Sequence, residues 1–181
     1  MLDKIYIIDF DDSFTYNIAN VLYSKEPSMQ VVHYKTFFKD VYFSLLNSNE
    51  LHAVILGPGP GHPDDYQDIF EAVKLLLNCK RFYILGICLG HQILGTIQGY
   101  IVKKSHEAIH GQQVEIEFKG EKFQVQRYNS LCVYDQYKEW PILKYPRGIS
   151  YQFHPESIGT TQKDIFFKDL INFLDSKTGK N

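Results

Sequence analysis

The strongest constraint on the fold of this chain is an alternation. Short runs rich in β-branched and aromatic residues occur at KIYIID (4–9), QVVHYK (30–35), HAVILG (52–57) and RFYILGI (81–87). Helical spacing follows the first, third and fourth of them, in SFTYNIANVLYS (13–24), YQDIFEAVKLLLNC (66–79) and LGHQILGTIQ (89–98). Ser13 is placed to cap the first of these helices. Strands alternating with helices imply right-handed crossovers and a parallel sheet covered on both faces. Past Gly99 the texture changes to shorter alternating runs, YIVKK, QQVEIEF, EKFQVQRY and ISYQF, then KDIFFKDLINFLDS (163–176). These predict antiparallel additions to the sheet in the C-terminal half and a closing amphipathic helix. With no repeat, low-complexity tract or linker to divide its 181 residues, the chain is expected to form one domain, 1–181.

An open α/β sheet binds ligands at the carboxyl ends of its strands. That rule selects Asp9–Ser13, Gly57–Pro63 and Gly86–Gln92. In the last of these, Gly86-Ile87-Cys88-Leu89-Gly90 has the form G-x-nucleophile-x-G at a strand-to-helix turn. Flanking glycines permit a strained turn that lifts the side chain clear of the sheet, and a helix N-terminus favours thiolate. A lone cysteine is more often a small buried hydrophobe, but a core cysteine needs no glycine on each side. A thiolate nucleophile requires a base, and the base an orienting group. In YQFHPES, His154 and Glu156 are two apart and share a side if the segment is extended, which Pro155 favours. Glu156 can then hold one imidazole nitrogen while the other faces Cys88. LGPGPGHP (56–63) is excluded from regular structure; its free N–H groups can line an oxyanion hole together with that of Leu89. Neither a Lys-Ser/Thr pair nor the Walker spacing follows it, so it is not a phosphate loop.

Composition narrows the partners. A net charge of -2 gives no electrostatic reason to expect nucleic acid or an anionic membrane. No apolar stretch approaches the ~20 residues of a membrane span, and MLDKIYIIDFDD does not read as a secretory signal. Three cysteines without CxxC pairing fit free thiols in a reducing cytoplasm. HEAIH (106–110) matches H-E-x-x-H, but a glycine and a strand-like run follow and position 116 is Ile, so no metal is expected there. Asp9, Asp11 and Asp12 read as loop solvation and a helix cap. His33, His52 and His62 read as surface or strand-end residues, His91 as a neighbour of the nucleophile that need not face the site, and Cys79 and Cys132 as structural or surface thiols.

Taken in order, GPGPG, GICLGHQ, His110-Gly111, RYNSL and QFHPES resemble the class I (triad) glutamine amidotransferases over nearly the whole chain. DFDDSFTYN is similar to the opening of subunits that supply ammonia to chorismate-using synthases, those making anthranilate or aminodeoxychorismate. The resemblance implies a flavodoxin-like fold without a cofactor, and a cytoplasmic subunit that assembles with such a synthase. It further implies that Cys88 attacks the side-chain amide of L-glutamine to form a γ-glutamyl thioester, with His154 oriented by Glu156 as acid and base. Gly57, Pro58, Gly59, Gln92, Ser130 and Leu131 would hold the glutamine, and the Gly59 and Leu89 N–H groups would stabilise the oxyanion. The segment 9–17 and the His110 region are candidates for contacting the synthase. The chain departs from the family pattern at Phe10 and Asp11, at Gln112 where Lys often follows His-Gly, and at Asn129 where Tyr-His-Ser-Leu is usual. The stretch from Cys132 to Gly148 is also shorter. Two other readings remain: a stand-alone γ-glutamyl hydrolase of the same fold, and a non-catalytic regulatory partner.

Overall fold

The computed structural model describes residues 3–105 and 111–176. β1 (Ile5–Asp9) leads to α1 (Thr15–Tyr23) and β2 (Met29–His33). α2 (Tyr34–Thr36), a wider π-type turn (Phe37–Val41) and α3 (Tyr42–Leu46) then run on as one helical segment to β3 (His52–Leu56). A 3₁₀ stretch (Pro63–Ile69) continues into α4 (Phe70–Asn78), β4 (Phe82–Ile87) and α5 (Leu89–Ile97). The second half comprises β5 (Ile101–Lys104), β6 (Gln112–Phe118), β7 (Glu121–Arg127) and β8 (Leu131–Tyr134). β9 (Ile142–Tyr145), β10 (Gly148–Tyr151) and α6 (Asp164–Asp175) complete it.

Six strands form the main sheet in the order β2-β1-β3-β4-β10-β9, all neighbours parallel except the β10–β9 edge pair. Alternate residues of β1 divide between two cores. Ile5 and Ile7 face α1 and α6, meeting Ile18, Leu22, Phe166 and Leu170. Tyr6 and Ile8 face α3, α4 and α5, meeting Leu45, Val73, Leu76 and Ile93. Burial on both faces explains why these strands read as unbroken apolar runs. Among the described residues, no helix is long and apolar enough to cross a membrane.

The structure amends the expected elements in four places. The run at 149–153 was expected to pair antiparallel, but Gly148–Tyr151 lies parallel to β4, with Tyr151 opposite Ile87. Alternation specifies a strand, not its direction, and the long excursion through β5–β9 provides the crossover. β6 and β7 form a hairpin separate from the main sheet, turning at Lys119 and Gly120 with φ of 53° and 83°, and β5 pairs with β8 apart from it as well. QVVHYK ends as a strand at His33, whose Nδ1 accepts a hydrogen bond from the Lys35 N–H and opens the helical segment that sequence periodicity did not disclose. Ser13 caps nothing. α1 starts at Thr15, and the turn before it is closed by Asp12 Oδ1 accepting from Phe14 N–H (2.8 Å) and Asp9 Oδ1 accepting from the Thr15 hydroxyl (2.9 Å).

Candidate active site

The carboxyl ends of β1, β3, β4 and β10 lie along one edge, and the selected loops meet there. Cys88 is the N-cap of α5, with φ 52° and ψ −101°, a conformation costly for a residue with a side chain. The neighbouring glycines make it possible. A Cβ on Gly86 would lie 2.7 Å from Leu94 Cδ1 and 2.8 Å from the Gly90 carbonyl oxygen, and one on Gly90 would run into the Leu56 carbonyl. Two backbone bonds tether the turn to strand ends, Cys88 N–H to the Tyr151 carbonyl (2.9 Å) and Gly90 N–H to that of Gly57 (3.2 Å). The 57–61 loop packs directly on the elbow: a Cβ on Gly59 would lie 2.5 Å from both Phe10 Cβ and Leu89 Cδ2. The tethers leave the Gly59 and Leu89 N–H groups without an acceptor among the described residues.

His154 follows β10. Its N–H donates to the Gln126 carbonyl (2.9 Å), and its own carbonyl accepts from the Thr160 hydroxyl (2.7 Å). The imidazole Nδ1 is 2.7 Å from Glu156 Oε1, with both residues 2% exposed. A carboxylate accepts, so Nδ1 carries the proton and Nε2 is the nitrogen left for the thiol. Nε2 is buried and makes no formed hydrogen bond, as is common before substrate tightens a catalytic contact. Burial disfavours a charged imidazole, but the adjacent Cys88 thiol and the Glu156 carboxylate outweigh it and push the ring's pKa up to about 10. The neighbours thus favour the protonated ring, the form that can pair with a thiolate.

Of the remaining expected residues, Gln92 and Leu131 connect to Cys88 through Gln152. Gln92, on α5, donates through Nε2 to the Leu131 carbonyl (3.0 Å) and to Gln152 Oε1 (3.3 Å). Ser130 is exposed, and its carbonyl accepts from Ser105 N–H. Gly57 and Pro58, which open the 57–61 loop, are buried. Three residues were missed. Phe14 and Tyr128 pack on the His154 ring, with centroids at 5.3 and 5.2 Å, and on each other at 5.0 Å. Gln152 Nε2 points at Cys88 Sγ, 3.8 Å away. Its signal was available, because Gln152 precedes His154 by two, the same spacing that selected Glu156.

His91 neighbours the nucleophile in sequence yet turns away from it. It is fully buried, 2.9 Å from the Trp140 carbonyl and 2.8 Å from the Ser150 hydroxyl, and burial drives its pKa down to about 3. The carbonyl can only accept, so Nε2 carries the proton and Nδ1 accepts from Ser150. His52 begins β3 and is buried; Cys132 is buried and Cys79 half-buried, both free. Asp9 and Asp12 serve the turn into α1, and Asp11 meets His33 at 3.3 Å. No group of three or more His, Cys, Asp or Glu among the described residues is placed to hold a metal. The HEAIH run and His110 lie outside the described residues.

A cysteine on a glycine-flanked elbow beside a buried His–Glu pair defines a class of amide-cleaving enzyme, and comparison with known proteins places the chain within it. The model of the glutamine amidotransferase class-I family matches residues 6–173, and the chain belongs to that family. Among named relatives, anthranilate synthase component 2 of Helicobacter pylori is 31% identical, the match covering 95% of this chain and 98% of that protein. The chloroplastic aminodeoxychorismate synthase of Arabidopsis thaliana is 33% identical over 72% of this chain, but the match spans only 16% of that longer protein. In fold, the chain is similar to a glutamine amidotransferase from Thermotoga maritima, with a TM-score of 0.64 at 12% identity, covering 99% of this chain and 100% of that one.

Proposed function

We propose that this chain is the glutaminase subunit of a chorismate-using synthase, one making anthranilate or aminodeoxychorismate. The observation that carries the chemistry is the buried His154–Glu156 pair, 2.7 Å apart, beside Cys88 on its strained turn. The Cys88 sulphur attacks the side-chain amide carbon of glutamine. The N–H groups of Gly59 and Leu89 stabilise the developing oxyanion, a contribution of about 10²–10³ in rate for one such donor. Protonated His154 delivers its proton to the departing nitrogen, the C–N bond breaks, and ammonia leaves a γ-glutamyl thioester. His154, now neutral and still oriented by Glu156, takes a proton from water as it attacks the thioester, releasing glutamate and the free thiol. Gly57, Pro58, Gln92, Ser130 and Leu131 hold the glutamine. Ammonia passes to the synthase, which this chain contacts through a surface that includes its own residues 9–17, and the complex works in the cytoplasm. The names of the relatives support this partner class, and the absence of a cofactor follows from a reaction completed by protein groups alone.

The test is glutamate release from glutamine by the purified chain, alone and with each candidate chorismate-using synthase. One synthase is expected to raise turnover sharply, with Cys88→Ala abolishing it and leaving ammonia-dependent synthesis intact. Equal turnover of glutamine or a γ-glutamyl peptide without any partner would make the chain a free hydrolase. No turnover with any partner would make it a non-catalytic component.

A further inference from the structure

A chain of hydrogen bonds runs from the edge of the molecule to the reactive sulphur. Arg127 Nη2 donates to Glu139 Oε1 at 2.6 Å, and Arg127 Nε donates to Asn129 Oδ1 at 3.0 Å. Asn129 Nδ2 donates to the Leu131 carbonyl at 2.9 Å, and the same carbonyl accepts from Gln92 Nε2 at 3.0 Å. Gln92 Nε2 also donates to Gln152 Oε1, which leaves Gln152 Nε2 facing Cys88 Sγ. Asn129, Gln92 and Gln152 are all buried.

The polarity of this chain is set by groups that have only one. A guanidinium can only donate, so Asn129 must turn its oxygen to Arg127 and its nitrogen to Leu131. A carbonyl can only accept, so Gln92 must present its nitrogen, and Gln152 must then turn its oxygen to Gln92 and its nitrogen to the sulphur. An N–H aimed at sulphur stabilises a thiolate more than a thiol. We propose that Arg127 and Asn129 are positioning residues which, by fixing the Leu131 carbonyl and through it Gln92, hold Gln152 as the hydrogen-bond donor to the Cys88 thiolate.

The bridge needs one acceptor, for Arg127, and one donor, for Leu131, and asparagine supplies both without titrating. The titratable groups facing it are Arg127 and Cys132, with Glu139 behind Arg127; those facing Cys88 are His154 and, behind it, Glu156.

The inference rests on Cys88 being the nucleophile, but its test does not need glutamine turnover, so the two can fail separately. The measurement is the rate of iodoacetamide alkylation of Cys88 in the full chain, followed by mass of its peptide from pH 5 to 10. Gln152→Met is expected to move the alkylation midpoint up by roughly half a unit to one unit, through loss of a donor to the charged form. Asn129→Asp keeps the acceptor for Arg127 but opposes an oxygen to the Leu131 carbonyl, and should shift the midpoint the same way. Asn129→Leu removes both functions at similar size and should also move the midpoint up. A wild-type profile in Gln152→Met would overturn the proposal, as would a wild-type profile in Asn129→Asp. Should Asn129→Asp fail to fold, judged by circular dichroism, Asn129→Leu carries the test of position 129 on the same terms.

Discussion

At the scale of single residues, the candidate site sets a cysteine on a strained turn beside an imidazole whose charge is set by its neighbours. Glu156 is one of the two groups that raise the His154 pKa against the effect of burial, and it fixes which nitrogen holds the proton. Glu156→Gln keeps the size of the side chain but removes the charge and allows the wrong tautomer. By analogy with the orienting carboxylate of a serine triad, kcat for glutamine should fall about 10²- to 10⁴-fold. KM should change little, because the carboxylate is buried behind the imidazole. Steady-state kinetics of the assembled enzyme check this, and an unchanged kcat would remove Glu156 from the mechanism. Cys88, His154 and Glu156 could be singled out in the sequence because a cysteine between two glycines and a His-Pro-Glu run are local patterns. Phe14 and Tyr128 could not be: their contact with the imidazole joins segments far apart in the chain, and an aromatic residue carries no mark distinguishing a ring that supports a catalytic base from one that fills a core.

At the scale of elements, the closing helix does more than cover the sheet. The Phe166 ring of α6 lies 5.3 Å from Phe118 and 5.5 Å from Phe123 in the β6–β7 hairpin, and 5.5 and 5.1 Å from Tyr151 and Phe153 at the end of β10. Tyr151 donates through its hydroxyl to the Phe166 carbonyl (3.1 Å). One helix thus packs against both the hairpin that carries Gln126 and the strand that leads into His154. Phe166→Ala should cost about 3–5 kcal/mol, the usual loss for a fully buried aromatic. The urea midpoint of unfolding reads it, and a loss under about 1 kcal/mol would show that the hairpin and β10 hold without the helix. The parallel strands and their helices were readable because burial on two faces leaves long apolar runs. The 34–46 helical segment was hidden by a π-type turn that breaks the 3.6-residue period at Phe37–Val41. The direction of β10 was hidden because pairing partners are a property of the tertiary fold.

At the scale of the whole molecule, two buried histidines act on stability from opposite sides of neutrality. His91 has its pKa lowered to about 3, so folding excludes a proton that the unfolded chain accepts below about 6.5. Its contribution is complete above that value and is lost as pH falls toward 3. His154 has its pKa raised to about 10, so its contribution is complete below about 6.5 and is lost as pH rises through 10. Each slope approaches about 1.4 kcal/mol per pH unit for one proton. Urea unfolding between pH 4 and 10 should show a maximum near 6.5 contributed by this pair, and His154→Gln should flatten the alkaline side. An alkaline slope unchanged in that variant would assign it elsewhere. The tether from Cys88 N–H to the Tyr151 carbonyl joins the elbow to the strand that leads into His154. Cys88 and His154 are far apart along the chain, so the thiol and the imidazole come together only in molecules whose β10 is seated beside β4. Local opening of that one strand pairing would therefore separate the two groups without unfolding either segment.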